Sequence, residues 1–498
     1  MQVSFRVTSV QVWGWYLVLL VICAVLLPQL TSWGMFEDGV TYATISRNLS
    51  IGLGTWWSPF FTATVHPQFH EQPPLAIILQ SLFFTVAGDH YLVEKTYSFL
   101  TMLGTLWLVW RTWTRMAAIL ENAHLKAHAW LPILLWVSIP KWNWAYKSNV
   151  LENTMGFFCV LSFYFVLRAI SNHNGIRATM FSVLAAFSLV CAGLTKGPAG
   201  LFPLVSPVIM AMVLGRPLIA RGVLVTLVIV ASLTLSAILT ASYEPLRINL
   251  ENYSNQHLFP AISGERSTEH SLSAMFRALV ENLLPMMIVL LAWIVRLRMT
   301  HTLLHCNRRF LMAALGFLLV GLCGSVPLAV SHTFRSFYLT PSFPFFALGF
   351  AALIACLAPR TADKDGWASA SASRPVSAVT MLAMIGLLAG VLTWSLSRIG
   401  TPRKDKRFYE QLHSLEHVIQ RNTIIGGDAS ISTKWSYHAL LHRYLLVSLD
   451  TGKSALSRTF YLAPSGQPPP PDFESTGLSF GNCFLLKRHS QAQPRGSL

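Results

Sequence analysis

The chain has 498 residues, of which 53% are hydrophobic and only 12% charged. A soluble chain carries about twice that charged fraction, and apolar runs recur that approach the roughly 20 residues needed to cross a bilayer core, so a soluble enzyme is excluded and a polytopic α-helical membrane protein is predicted. The formal net charge of +16 does not argue for nucleic acid, because basic residues of membrane proteins gather in cytoplasmic loops.

The first apolar run, 11–30, follows Arg6 and lacks a small-residue cleavage site after it, so it reads as an anchor rather than a removed signal peptide. Further spans are predicted at 92–113, 129–144, 154–170, 178–194, 198–215, 222–241, 278–295, 310–330, 341–358 and 376–397. The stretch 75–87 opens at Pro73-Pro74 and is short enough to be interfacial or re-entrant. With a cytoplasmic N-terminus, the inner side holds fifteen basic residues, among them Arg111, Arg115, Arg168, Arg177 and Arg221, against three acids, Glu121, Asp363 and Asp365. The outer side before the tail holds nine basic residues against eleven acids. That asymmetry is the positive-inside pattern. Counting 75–87 as a crossing would put Asp38 and Glu152 on opposite faces. The expected organisation is a membrane domain over 1–397, with long outer loops at 31–91 and 242–277, and an extracytoplasmic tail over 398–498.

The tail alternates patterns. "KRFYEQLHSLEHVIQ" has helical spacing, "TIIGG", "YLLVSL", "TFYLA" and "CFLLKR" read as strands, and "SGQPPPPDFEST" reads as a loop, which predicts a small α/β domain. None of the seven cysteines forms a CxxC pair, so neither a disulfide framework nor a zinc site is expected.

Five outer segments carry chemistry. In "FEDGVTYATISRNL", Glu37 and Asp38 open a helix with Tyr42, Ile45 and Leu49 on one stripe; they read either as groups lining a wet cavity or as acids favoured at a helix N-terminus. In "HPQFHEQPPLAIIL", His70 and Glu71 precede a Pro-led helix. "KWNWAYKSNVLENTM" offers Asn149 and Glu152, either as site residues or as a polar loop and helix start. "GLTKGPAGLFP" sets Lys196 among glycines, where it can snorkel to the surface or meet a phosphate. "SHTFRSFYLTPSFP" carries Arg335 and Tyr338; an arginine fork suits phosphate oxygens, or an outer carboxylate. Together these residues form a constellation for an anionic, membrane-borne substrate. No strong metal spacing occurs, and a divalent metal, if used, has His70, Glu71, His257 and His270 as candidates.

These ordered segments, over roughly 11–360, resemble the membrane glycosyltransferases of the protein O-mannosyltransferase and lipid A aminoarabinose transferase type, which have the GT-C fold. They are Asp38 with "VTYATISRNL", "HEQPPL", Glu152 in "NVLENTM", "TKGP", and "YLTPSFP". Asp38, not Glu37, aligns with the family's catalytic acid because Tyr42 then falls in place, and Gln72 stands where the aminoarabinose enzymes have lysine. The resemblance implies 11–13 membrane helices, interfacial helices in the first outer loop, and a sugar donor linked through one phosphate to a polyprenol. It implies Asp38 and Glu152 as catalytic, Lys196, Arg335 and Tyr338 on the donor phosphate, and Glu37, Tyr42, Glu71 and Asn149 on substrate. The expected activity is transfer of one sugar, with inversion, to a membrane lipid or glycolipid acceptor outside a bacterial cytoplasmic membrane, by a monomer that uses no nucleic acid. The alternatives are a protein O-glycosyltransferase or oligosaccharyl ligase of the same fold, or a lipid-linked sugar transporter.

Overall fold

The computed structural model describes residues 9–264, 272–300, 307–330, 334–357, 377–402 and 406–489. Among them, eight helical runs are long and apolar enough to cross a membrane: Val10–Thr31, Leu151–Ile170, Gly175–Leu214, Arg216–Ser242, Leu272–Met299, Arg308–Val330, Ser336–Cys356 and Ala378–Leu396.

Three sequence expectations change in detail. The range 92–113 lies in the 28-residue helix Leu92–Ile119, which carries Glu94, Lys95, Arg111 and Arg115. The range 129–144 is not one helix but two of eight residues, Trp130–Val137 and Pro140–Lys147. Pro140 lacks the N–H that would continue the first and is placed where it starts the second. The ranges 178–194 and 198–215 form one run in which the chain doubles back: Gly197 has φ 73°, and Gly200 packs so closely on the Ala192 backbone that a Cβ there would overlap it. The 13-residue helix Leu75–Ala87 is about 20 Å long, short of a bilayer core, as expected. Cys23, Cys159, Cys191, Cys323 and Cys483 carry free thiols, whereas Cys356 is disulfide-bonded, which corrects the expectation of no disulfide at that position.

The chain divides into two compact units. The first comprises 1–31, 71–76 and 95–398. Its core is aromatic and aliphatic, with Phe163 against Phe317 and Phe345, and buried Trp136 against Trp142.

The second unit comprises 32–70, 77–94 and 399–498, so most of the first long loop groups with the tail. Its sheet has the order β2-β1-β3-β5-β4, with β1 Ile424–Gly427, β2 Ser448–Asp450, β3 Phe460–Pro464, β4 Phe473–Phe480 and β5 Cys483–Arg488. β1 is parallel to β2 and β3, and β5 is antiparallel to β3 and β4. Four strands lie where the sequence predicted them. The fifth, β4, was hidden by its proline-rich approach and by the irregular pairing between Ser475 and Ser479, where Gly477 takes φ 75°. The start of "YLLVSL" instead ends a helix, Trp435–Leu445.

That helix packs on Glu37–Ser50, which is buried along nearly its whole length. Arg47, off the predicted apolar stripe, is buried too. It donates to Asp89 at 2.8 Å and to the carbonyls of His442 at 2.7 Å and Arg443 at 3.3 Å. Arg443 in turn pairs with Asp89 and with the fully buried Glu94 at 3.0 Å. Burial opposes the charge on Arg443, but Glu94, then Tyr444 and Asp89, hold its guanidinium above the ordinary value. Removing one partner of a buried pair strands the other, at a cost of about 3–5 kcal/mol. Arg443→Met is therefore expected to lower the stability of this unit by that order, read as a shift of the denaturant midpoint, whereas Arg421→Met, whose pair with Glu416 is largely exposed, should shift it by less than about 1 kcal/mol.

The same unit is expected to weaken in acid. Burial, then the charge of Arg47, pushes His442 down to about 3, so the unfolded chain takes up a proton below about pH 6.5 that the folded chain does not. Asp89 is held low as well: burial would raise it, but Arg443 and Arg47 outweigh burial, so its contribution is lost only at still lower pH. The melting temperature should fall as pH drops from 7 to 5, and His442→Phe should flatten that slope. An unchanged slope in the variant would reject His442 as its source.

Candidate functional site

Within the first unit, five segments bring polar groups together. Glu152 occupies the first turn of Leu151–Ile170, and Lys196 is the last residue of the neighbouring Gly175–Lys196 helix. A carboxylate suits a helix N-terminus and an ammonium suits a C-terminus. Packed together, these helices also bring the two charges into a salt bridge between Glu152 Oε1 and Lys196 Nζ. The Glu152 side chain is 1% exposed and that of Lys196 14%.

The third segment is the turn Ser336–Ser342. It packs on Leu151–Ile170 where Gly156 has no side chain; a Cβ there would lie 3.3 Å from the Pro341 backbone. Lys196 Nζ consequently stands 4.5 Å from the Tyr338 ring centre and 5.6 Å from that of Phe337. The ring faces attract the cation, and the more so out of water.

The fourth segment, Glu244–Tyr253 with the π-turn Ser254–Leu258, adds two groups one turn apart. Tyr253 lies against Gly197, where any Cβ would overlap its ring and hydroxyl. Burial raises its phenol above the ordinary value, while the charge of Lys196 opposes that rise. His257 Nε2 reaches Oε1 of Glu71, in the fifth segment, at 3.5 Å.

Sequence reasoning named Glu152, Lys196, Tyr338, Glu71 and His257, but not Tyr253. Only its place in the long loop 242–277, four residues before His257, hinted at it. Asn149 is buried just before the Leu151–Ile170 helix with φ 52°, a left-handed conformation asparagine tolerates better than most residues. Arg335 is exposed; its carbonyl accepts from the N–H of Tyr338 at 2.9 Å.

Glu37, Asp38 and Tyr42 belong to the second unit. Glu37 and Asp38 sit in the first turn of Glu37–Ser50, Glu37 exposed and Asp38 half-buried, and Tyr42 is buried one turn on. His70 is buried in this unit, and burial, then His66, lowers its ring below the ordinary value. Among the metal candidates His270 lies outside the described residues, and among the described residues no group of three or more His, Cys, Asp or Glu side chains gathers as a metal centre.

Membrane-spanning helices and a small α/β unit make up a GT-C fold. Two solved structures share it over nearly the whole chain. ArnT from Cupriavidus metallidurans in the apo state matches with TM-score 0.61 and 14% identity, covering 94% of this chain and 96% of that one. The same protein bound to undecaprenyl phosphate matches with TM-score 0.63 and 15% identity, covering 98% and 99%. The fold expected from the resemblance is the fold found. Neither a protein-family model nor a curated protein sequence matches this chain.

Proposed function

We propose that this protein transfers a single sugar from a polyprenyl-phosphate donor to an envelope acceptor, a lipid A-like glycolipid in the favoured case, at the outer face of a bacterial cytoplasmic membrane and with inversion. The observation that carries the reading is Lys196 held between Glu152 and the Tyr338 ring at one end of spanning helices, in a fold whose relative ArnT has been seen with undecaprenyl phosphate.

In this reading the acceptor oxygen attacks the anomeric carbon from the face opposite the leaving phosphate, the sugar–phosphate C–O bond breaks, and polyprenyl phosphate departs. An ammonium has three N–H donors, so Lys196 can keep Glu152 on one and turn another to the phosphate as its charge grows. Arg335 and the Tyr338 hydroxyl assist. Glu152 holds the ammonium in place. Asp38 takes the acceptor's proton or, for a phosphate acceptor that carries none to lose, binds the sugar. Glu37, Tyr42, Glu71 and Asn149 line the substrate.

The test is purified protein with a panel of labelled polyprenyl-phosphate sugars and an envelope extract. Label moving into one glycolipid fraction, dependent on a monophosphate donor, is the expected result. Label entering sealed vesicles with no new bond, or only oligosaccharides on a diphosphate carrier being accepted, would overturn it.

A further inference from the structure

The helix that starts beside Glu152 ends, roughly 24 Å further along its axis, at a second charged cluster. Three arginines meet there. Arg168 donates to the Tyr164 hydroxyl oxygen at 2.9 Å, and Arg111 donates to the same oxygen at 3.4 Å. Arg115 donates to the Ser171 hydroxyl. The Nε atoms of Arg111 and Arg115 are buried with no hydrogen-bond partner among the described residues. No carboxylate among those residues forms a salt bridge with any of the three.

This is an unusual way to fold three cations. Two of them share one phenol and the third holds the hydroxyl of Ser171, three residues on from Arg168. Like charges so close repel each other, and partial burial strengthens the repulsion. Such a cluster suits an anion with several oxygens. Guanidinium forks match phosphate oxygens in pairs, through charge-assisted hydrogen bonds.

The surroundings indicate where such a phosphate comes from. Arg111 stands beside the rings of Trp107 and Trp110, at 5.7 and 5.9 Å, and Arg168 lies 4.4 Å from that of Phe181. Trp107 is half exposed, and Ile176 and Met180 also present apolar surface. A free phosphate ion gains nothing from such flanks, whereas acyl chains do. Basic pockets between spanning helices suit anionic headgroups. We propose that Arg111, Arg115 and Arg168 bind the phosphate of an anionic phospholipid, in the leaflet opposite the Lys196–Glu152 end. The proposal does not depend on what the Lys196 site transfers.

The test uses the full chain in a neutral detergent, with phosphatidylglycerol, phosphatidylcholine or inorganic phosphate added, and native mass spectrometry to count what is retained. Wild type should retain phosphatidylglycerol over phosphatidylcholine, and Arg115→Gln/Arg168→Gln should bind it about tenfold more weakly or worse, since each lost charge-assisted bond is worth about that factor. The lipid-free variant should melt no lower than wild type, because like-charge repulsion is relieved. Equal retention of phosphatidylglycerol by variant and wild type would overturn the proposal. So would equal retention of the two lipids, or complete displacement by equimolar inorganic phosphate, which would assign a soluble anion instead. If the glutamine variant does not fold, the wild-type comparison of the two lipids decides alone.

Discussion

Lys196→Ala is expected to lower the rate of sugar transfer by about 10²- to 10³-fold, the usual loss when a pre-positioned electrostatic group is removed from a developing negative charge. The same change should also destabilise the fold, because Glu152, 1% exposed, is left as an uncompensated buried carboxylate; about 3–5 kcal/mol is the scale for breaking such a pair. Loss of activity could then be no more than loss of folded protein. A double-mutant cycle separates the two effects. In Glu152→Gln/Lys196→Ala, measured beside each single change, both charges are gone, so most of the stability should return while transfer stays lost. Recovery of transfer together with stability would make the pair structural and remove Lys196 from the donor site.

Asp38→Asn should reduce transfer to a hydroxyl acceptor by about 10²- to 10⁴-fold, the range for losing a positioned proton acceptor. Folding should be nearly unaffected. Asparagine keeps the shape and can still accept a hydrogen bond, and replacing one acid in the first turn of the helix costs about 0.3–1 kcal/mol. Glu37→Gln, one residue earlier and exposed, should leave turnover largely intact and act mainly on KM. Near wild-type turnover by Asp38→Asn would remove it from the chemistry. If only a phosphate acceptor is used, the Asp38→Asn loss should shrink and move into KM, which distinguishes the two acceptor classes in one series.

The membrane class, most of the helices and four of the five strands of the small sheet were legible in the sequence alone. Crossing a bilayer demands long apolar runs, and a half-buried strand demands alternation; both are local patterns. Glu152, Lys196 and Tyr338 were legible as candidates for a related reason, since polar residues at the ends of apolar spans stand out and the loop charges sort them to one side. Their partnership was not. Glu152 and Lys196 are 44 positions apart, and Arg47 is 396 positions from Arg443; no local period encodes which charge meets which. Arg47 lies off the apolar stripe of its helix, yet it is buried because Asp89 and two carbonyls satisfy its guanidinium there. Tyr253 was equally invisible, because its neighbour is the bare backbone of Gly197, which only the turn after Lys196 presents to it. Sequence alone thus determined where the chain meets lipid and which polar residues resist that setting. Which of those residues meet was decided by tertiary packing, because burying a charge is tolerable only once a distant partner has been brought to it.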